Sequence, residues 1–287
     1  MKRILPILLA AALLTGCAKE PAGETTETTL APDTPATPLT VTFMKVGKAD
    51  AMILQTVEHT IVLDCGEEPD GKKMTARLNE YGVTAIDCMI LTHYDQDHIG
   101  GAPMVLDNFD VKQVIAAQQE EDSAEYKLLC DAVDAEGLQM ELPSTPVTLT
   151  FDDAAFTFYP HKASDYQDGY DNNCSLVVKV THHNETLLFT GDAMEERLAE
   201  IMDIGDCGLL KVPYHGREVR NFVQFLKSTQ PEYAVISTKE KECDQTTLDA
   251  LDAIGAKTYK TYADGTIVAV SDGSSLSFTT EGVEKSS

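Results

Sequence analysis

The sequence is poor in positive charge. It contains 22 Lys and Arg residues against 47 Asp and Glu, so its formal net charge at pH 7 is −25 over 287 residues. Proteins that hold duplex nucleic acid or polyphosphate on a broad surface need clustered Lys and Arg there. This composition therefore excludes such a surface, and any nucleic acid must be held locally, by a metal ion or by a few placed cations.

Several short motifs are also missing. No two cysteines have the C-x-x-C spacing of a zinc ribbon. The sequence has neither a P-loop nor a Gly-x-Gly-x-x-Gly motif, so nothing in it supports a nucleotide cofactor. Disulfides are compatible with export, but Cys65, Cys88 and Cys207 lie in or beside apolar runs. We therefore favour buried thiols over disulfides.

The N-terminal apolar run, from Ile4 to Leu14, is too short to span a bilayer comfortably. It follows two basic residues and leads into the sequence LTGC, which ends at Cys17. This arrangement indicates a secretory signal and resembles the lipobox of bacterial lipoproteins. We predict a signal peptide over residues 1–16 and lipidation of Cys17, which would anchor the protein to the outer side of a membrane. A plain signal peptide with an incidental cysteine is the alternative.

The next segment, residues 17–39, is rich in Thr and Pro and has no aromatic residue. It cannot bury enough apolar surface to offset the entropy of ordering, so we predict a disordered tether. Residues 40–287 contain alternating and continuous apolar runs interleaved with helical periodicity, which predicts one domain. Strand pairs followed by strand–helix alternation in each half indicate two stacked mixed sheets with helices outside, a four-layer αββα sandwich.

One loop concentrates potential metal ligands. His93, Asp95, Asp97 and His98 fall within the segment HYDQDH, directly after the apolar segment IDCMILT and directly before two glycines. Imidazoles and carboxylates are the ligands of hydrolytic divalent metals. The segment therefore predicts a metal site, with a loop of solvated polar residues as the alternative.

Three further strand ends carry polar side chains of the same kind. Asp64 ends the segment VLD, Asp192 follows the apolar segment TLLFTG, and His215 follows LLKVPY. Each is a weak signal alone. Strand ends on one edge of a sandwich can converge, so we expect these side chains to join the HYDQDH loop in one centre.

These motifs together resemble a known family. The HYDQDH loop is similar to the His-x-His-x-Asp-His signature of the metallo-beta-lactamase superfamily, with Asp in place of the second His. The segments VGKADA (46–51), NNCSLVVKV (172–180), TGDA (190–193) and LKVPYHG (210–216) add a similarity to ComEC-like competence proteins. The resemblance covers about residues 40 to 280. It implies the αββα fold and a metal-dependent hydrolase.

The resemblance also implies two divalent ions, zinc or manganese, with Asp192 bridging them. The implied metal ligands are His93, Asp95, Asp97, His98, Asp192 and His215. His93 and Asp95 would hold the first ion. Asp97 and His98 would hold the second, which His215 completes.

Further roles follow from the same resemblance. Asp64 would not bind metal itself but would orient the ligands of the HYDQDH loop. Asp97 would also position the nucleophile. Asn173 would contact substrate or water near the metals. Lys211 would face developing negative charge, with a surface lysine on a strand as the alternative.

Two of the departures from the family pattern concern metal ligands. Tyr214-His215 replaces a pair of histidines, and no histidine is an obvious third-motif ligand for the first metal. His161, His182 and His183 are candidates by count alone, with His161 preferred because it follows a strand. We therefore expect the first metal site to be the weaker one.

The resulting hypothesis is a phosphodiester hydrolase that uses a metal-activated hydroxide. Its substrate would be a nucleic acid or a small extracytoplasmic phosphodiester, and no protein partner is inferred. A lactonase or beta-lactamase activity is one alternative. A non-catalytic metal- or ligand-binding lipoprotein is another, favoured by the missing third-motif ligand.

Overall fold

A computed structural model describes residues 36–167 and 169–282. The predicted signal peptide, the predicted lipidation site Cys17 and most of the predicted tether lie outside these residues. The first strand begins at Leu39, one residue before the predicted domain boundary. Within the described part, no helix is both long enough and apolar enough to cross a membrane.

The described chain alternates strands and helices. The strands are β1 (Leu39–Phe43), β2 (Ala51–Gln55), β3 (Thr60–Cys65), β4 (Ala85–Ile86), β5 (Cys88–Leu91), β6 (Asp110–Val111), β7 (Val114–Ala116), β8 (Met140–Glu141), β9 (Val147–Phe151), β10 (Ala154–Tyr159), β11 (Val177–His182), β12 (Glu185–Phe189), β13 (Leu209–Lys211), β14 (Tyr233–Ile236), β15 (Lys257–Lys260), β16 (Ile267–Ser271) and β17 (Leu276–Thr280). The helices are α1 (Asp70–Glu80), α2 (Gln96–Ile99), α3 (Ala102–Asn108), α4 (Ala124–Ala135), α5 (Tyr170–Asn173), α6 (Glu195–Glu200), α7 (Phe222–Thr229), α8 (Gln245–Ala253) and α9 (Thr261–Asp264).

The strands form two large sheets. The order in the first is β17-β16-β1-β2-β3-β5-β7-β8, and in the second β15-β14-β13-β12-β11-β10-β9. Both sheets are mixed: β3, β5, β7 and β8 run parallel in the first, and β12 to β15 run parallel in the second. A short parallel pair, β4 and β6, lies outside both.

Three buried apolar layers define the stacking. Phe43 and Phe189, one from each sheet, stack 6.1 Å apart in the layer between the sheets. A second layer, which includes Met74 and Leu106, covers the outer face of the first sheet with α1 and α3. A third, which includes Phe225, covers the outer face of the second sheet with α7. Three apolar layers separate four layers of secondary structure, so the predicted αββα sandwich is confirmed.

Two details complete the topology. Residues 110–117 form β6 and β7, which pair with different neighbours, β4 and β5. The C-terminal hairpin β16–β17 joins the first sheet beside β1. The cysteines in the described residues are free thiols, and Cys65, Cys88, Cys174 and Cys207 are buried, as favoured above.

Candidate metal centre

Both sheets contribute strand ends to one edge of the sandwich. The parallel strands β3 and β5 end at Asp64-Cys65 and just before the HYDQDH loop, and the parallel strands β12 and β13 end just before Asp192 and His215. The N–H of Leu176, just before β11, donates to the carbonyl of Thr92 at 2.7 Å and ties the two sheets together here. The predicted convergence of strand ends therefore occurs.

Four of the predicted ligands enclose one position. Nε2 of His215 lies 3.0 Å from Oδ2 of Asp192 and 3.4 Å from Oδ2 of Asp97. Nε2 of His98 lies 3.4 Å from Oδ1 of Asp192. A tetrahedral centre with metal–ligand bonds of about 2.0–2.1 Å has donor–donor separations of roughly 3.3–3.4 Å. Asp97, His98 and His215 form one possible donor set, and Asp192 lies within 3.4 Å of both histidines, so these side chains suit a single divalent ion.

Asp64 sets the orientation of two histidines of the loop. Its carboxylate accepts from Nδ1 of His98 at 2.8 Å and from the hydroxyl of Thr92 at 2.7 Å. That hydroxyl, having donated to Asp64, accepts from Nδ1 of His93 at 3.1 Å. Nδ1 of each imidazole thereby has a partner behind it, and Nε2 faces the centre.

His215 reaches the centre through a strained turn. The 3₁₀ segment Pro213–Gly216 contains Tyr214 at φ 49° and His215 at φ 53°, both in the left-handed region. Such conformations cost on the order of 1–3 kcal/mol each and persist where the surrounding structure enforces them. Nδ1 of His215 donates to the carbonyl of Ser237 at 3.1 Å, which again leaves Nε2 facing inward.

The atoms that face the centre lack hydrogen-bond partners. Among the described residues, Nε2 of His93, His98 and His215 and Oδ1 of Asp192 are buried without one. Leaving several polar atoms buried and unpaired is costly unless something else satisfies them. Three imidazole nitrogens and a carboxylate oxygen aimed at one space are the donor set of a divalent transition metal. The residues present therefore fit the metal that the resemblance implies.

The charges around Asp192 and Asp97 favour the ionised form of both carboxylates. Burial opposes their charge, but His215 and His98 outweigh it and hold the pKa of Asp192 well below its usual range. Burial likewise opposes a charged His215, yet the carboxylates of Asp192 and Asp97 raise its pKa to about 9. Burial also opposes the charge of Asp97, but the nearby His215 and His98 outweigh it and lower the pKa of this carboxyl. Both aspartates are therefore ionised, the state that binds metal.

The other predicted metal position has fewer ligands. Nε2 of His93 lies 3.5 Å from Oδ2 of Asp95, and His93 and Asp192 belong to a second cluster of possible donors. Asp95 is the most open of the predicted ligands, with 38% of its side chain exposed. The position beside His93 and Asp95 therefore has fewer and more exposed donors than the four-ligand position, in the direction expected for a weaker first metal site.

None of the three candidate third-motif histidines supplies the missing donor. Both ring nitrogens of His161 bond backbone carbonyls, those of Ala163 and Gln118. His182 and His183 cluster with Asp153 at the far end of β11. These candidates were wrong because a count of histidines carries no information about which end of a strand each one occupies.

Asp50, which the sequence analysis did not single out, lies beside Asp192 and His215 in the centre. It is fully buried, and its carboxylate pairs with Nζ of Lys211. That Nζ also lies 3.8 Å from Oδ1 of Asp192. Lys211 is itself fully buried, so the surface-lysine alternative is wrong. The only signal for Asp50 was its place in the VGKADA motif.

Asn173 is buried beside the loop that carries Asp192. Its side-chain oxygen accepts from the backbone N–H groups of Met194 and Arg197, both at 3.1 Å. These bonds hold the start of α6, which follows Asp192 directly. The structure therefore gives Asn173 a positioning contact for that loop.

Replacing Asp64 with Asn is expected to weaken metal binding by roughly 10- to 100-fold, the usual effect of losing a partner that orients a ligating histidine. Oδ1 of Asp64 accepts the backbone N–H of Thr92, and Oδ2 accepts from His98 and the Thr92 hydroxyl, so an amide, which has one accepting oxygen, cannot accept all three bonds. Affinity is measured by competition with a chromophoric chelator. Asp87→Asn, before the start of the adjacent strand β5, serves as the control. Equal affinities in both variants would remove Asp64 from this role.

Comparisons with known proteins agree with this geometry. Residues 44–238 match the profile of the metallo-beta-lactamase superfamily. This range includes the HYDQDH loop, Asp192 and His215. ComE operon protein 3 of Bacillus subtilis (strain 168) is 29% identical over 163 residues, which are 56% of this chain and 21% of that protein. Competence protein ComA of Neisseria gonorrhoeae is 26% identical over 210 residues, which are 69% of this chain and 27% of that protein.

The matched region thus spans about a quarter of the length of these relatives. The metallo-beta-lactamase fold protein YhfI from Bacillus subtilis has a TM-score of 0.55 at 13% identity, with 78% of this chain and 96% of that one covered. At that identity the likeness shows the fold alone. Together with the profile match over most of the described residues, it establishes that the chain belongs to the metallo-beta-lactamase superfamily.

Proposed function

We propose that this protein is a metal-dependent phosphodiester hydrolase, exported and anchored to a membrane through Cys17. The observation that carries the proposal is the convergence of Asp97, His98, Asp192 and His215, the last three of which have buried polar atoms without a hydrogen-bond partner among the described residues. Divalent ions held there supply Lewis acidity and lower the pKa of coordinated water. The lipid anchor rests on the LTGC motif alone.

A small cationic rim supports an anionic substrate. Nζ of Lys48 lies 2.8 Å from Oδ2 of Asp97, and about a third of the Lys48 side chain is exposed. Arg217, two residues after His215, stacks over the ring of Tyr214 at 5.5 Å and is 41% exposed. In a chain of net charge −25, two cations at the mouth of the centre are a local exception. They suit one phosphate group better than a long duplex.

The chain's own residues divide the remaining work. Lys48 and Arg217 would bind the phosphate oxygens at the rim. Asp97, ionised and partly exposed, would orient the attacking water. The buried Lys211–Asp50 ion pair would position Asp192, because Nζ of Lys211 lies 3.8 Å from Oδ1 of Asp192.

The direct test is hydrolysis of bis(p-nitrophenyl) phosphate by the purified protein, first stripped of metal and then refilled with manganese or zinc. We expect turnover that depends on the added metal and disappears in His98→Ala. A lactone and a beta-lactam are assayed in parallel. Turnover of either of these, without phosphodiester turnover, would overturn the assigned substrate class.

One observation favours a second candidate, a metal-binding protein without catalysis. The position beside His93 and Asp95 lacks the third histidine, so a single ion at the four-ligand position is compatible with the described residues. The two functions separate by turnover: a folded, metal-loaded protein that hydrolyses none of the three substrates would establish the second.

Replacing Arg217 with Ala is expected to raise KM for the phosphodiester about fivefold with little change in kcat. A half-exposed cation contributes up to about 1 kcal/mol to such a contact, and one kcal/mol is roughly a factor of five. The effect should shrink as salt is added. Arg220→Ala is the matched control, because Arg220 is 82% exposed and pairs with Glu195 as Arg217 pairs with Glu242. Equal KM values for both variants would exclude Arg217 from substrate binding.

A further inference from the structure

We propose that the protein has a separate divalent-metal site, formed by His182, His183 and Asp153 at the other end of the sandwich. One donor atom from each lies within 4.8 Å of the other two. Leu176, bonded to Thr92 just before β11, marks the edge that holds the catalytic centre. At about 3.3 Å per residue, His182 lies roughly 20 Å further along the strand. The two sites therefore share no ligand.

Strand register brings the three side chains together. His182 pairs with Ala154 across the β10–β11 ladder, so Asp153, in the β9–β10 turn, sits beside it. Nε2 of His182 lies 3.4 Å from Oδ1 of Asp153, and Nε2 of His183 lies 2.9 Å from Oδ2. The first separation is close to the donor–donor distance of roughly 3.3 Å that a tetrahedral zinc site requires, and the second is a hydrogen bond that a bound ion would replace.

His182 is the observation that points to a ligand. Its side chain is fully buried, and its Nε2 has no hydrogen-bond partner within the described part of the chain. Its Nδ1 lies 2.8 Å from Oγ of Ser271, which also accepts the N–H of Gly273 at 3.1 Å. When Nδ1 donates to Ser271, the Nε2 lone pair faces Asp153. Proteins orient metal-ligating histidines in this way.

The remaining ligands leave the site open to solvent. His183 and Asp153 have 42% and 29% of their side chains exposed, so an ion can reach the site and keep a water as its fourth ligand. Two imidazoles with one carboxylate favour Zn²⁺ or a similar transition metal over Mg²⁺ or Ca²⁺, which prefer oxygen donors. We therefore assign the site to zinc-class ions.

The site also reaches the residues that precede β1. The carboxylate of Asp153 accepts the backbone N–H of Thr37 at 3.0 Å and its hydroxyl at 2.7 Å. A metal held here would fasten the β9–β10 turn, the β11–β12 turn and this leading segment to one another. Because an ion that binds only the folded state stabilises it by mass action, zinc should raise the melting temperature through this site.

The test is the number of zinc ions retained per full-length chain after dialysis against buffered zinc, measured by elemental analysis. His183→Asn removes one ligand while keeping the turn, because His183 has φ 54° and Asn tolerates that conformation. We expect His183→Asn to hold one ion fewer than the unmodified protein. Its phosphodiester turnover should stay unchanged, since His183 is remote from the catalytic centre.

The matched control is Asn184→Ser, the next residue of the same exposed turn. It should retain the full zinc content and the full zinc-dependent rise in melting temperature, whereas His183→Asn should lose part of that rise. The proposal is overturned if His183→Asn binds as much zinc as the unmodified protein. It is equally overturned if both turn variants lose the same amount.

Discussion

Asp97→Ala is expected to lower metal-dependent phosphodiester hydrolysis by about a thousandfold or more while leaving the fold intact. Asp97 is both a ligand of the four-ligand position and the carboxylate nearest the rim, 2.8 Å from Lys48. Removing it takes away a charged donor and the group that orients water, and losses of this kind are on the order of 10²–10³ for one well-placed electrostatic contact. Steady-state kinetics with bis(p-nitrophenyl) phosphate measures the effect.

Asp97 is itself buried, but the fold should survive because its partner Lys48 is about one-third exposed and can be hydrated when the carboxylate is removed. Asp107→Ala, on the exposed face of α3, is the matched control and should keep full turnover. Unchanged turnover in Asp97→Ala would refute the mechanism.

Lys211→Met should destabilise the protein by about 3–5 kcal/mol, measured by urea unfolding in the presence of a chelator. The substitution leaves the carboxylate of Asp50 buried without its cation, and uncompensated buried charges carry penalties of this size. Asp192, 3.8 Å from the same Nζ, loses part of its compensation as well. Lys179→Met, on β11, should cost about 1 kcal/mol, because Lys179 donates only to the carbonyl of Ile204.

The double substitution Asp50→Leu with Lys211→Met separates charge from packing. Replacing both partners of a buried ion pair by apolar residues of similar volume is often neutral, so most of the lost stability should return. A double variant as unstable as Lys211→Met would show that the pair acts through its shape and not through charge compensation.

The candidate metal ligands could be identified from the sequence because the patterns that indicate them are local. The HYDQDH spacing, and the placement of Asp64, Asp192 and His215 at strand ends, depend only on the residues beside them. Apolar periodicity is likewise local, which is why the layered α/β class could be predicted. The pairing of residues 110–117 is not local, because β6 and β7 follow each other closely in the chain but pair with different strands.

The sequence by itself determined the metal loop, the family and the αββα class, since each depends on short-range patterns. Only the tertiary structure decided that Asp50 and Lys211 meet inside the centre, that His161 bonds backbone carbonyls, and that His182 and His183 join Asp153 at the opposite end. These outcomes depend on which strands pair, in which register, and how two sheets stack. Such contacts join residues far apart in the chain, so no local pattern encodes them.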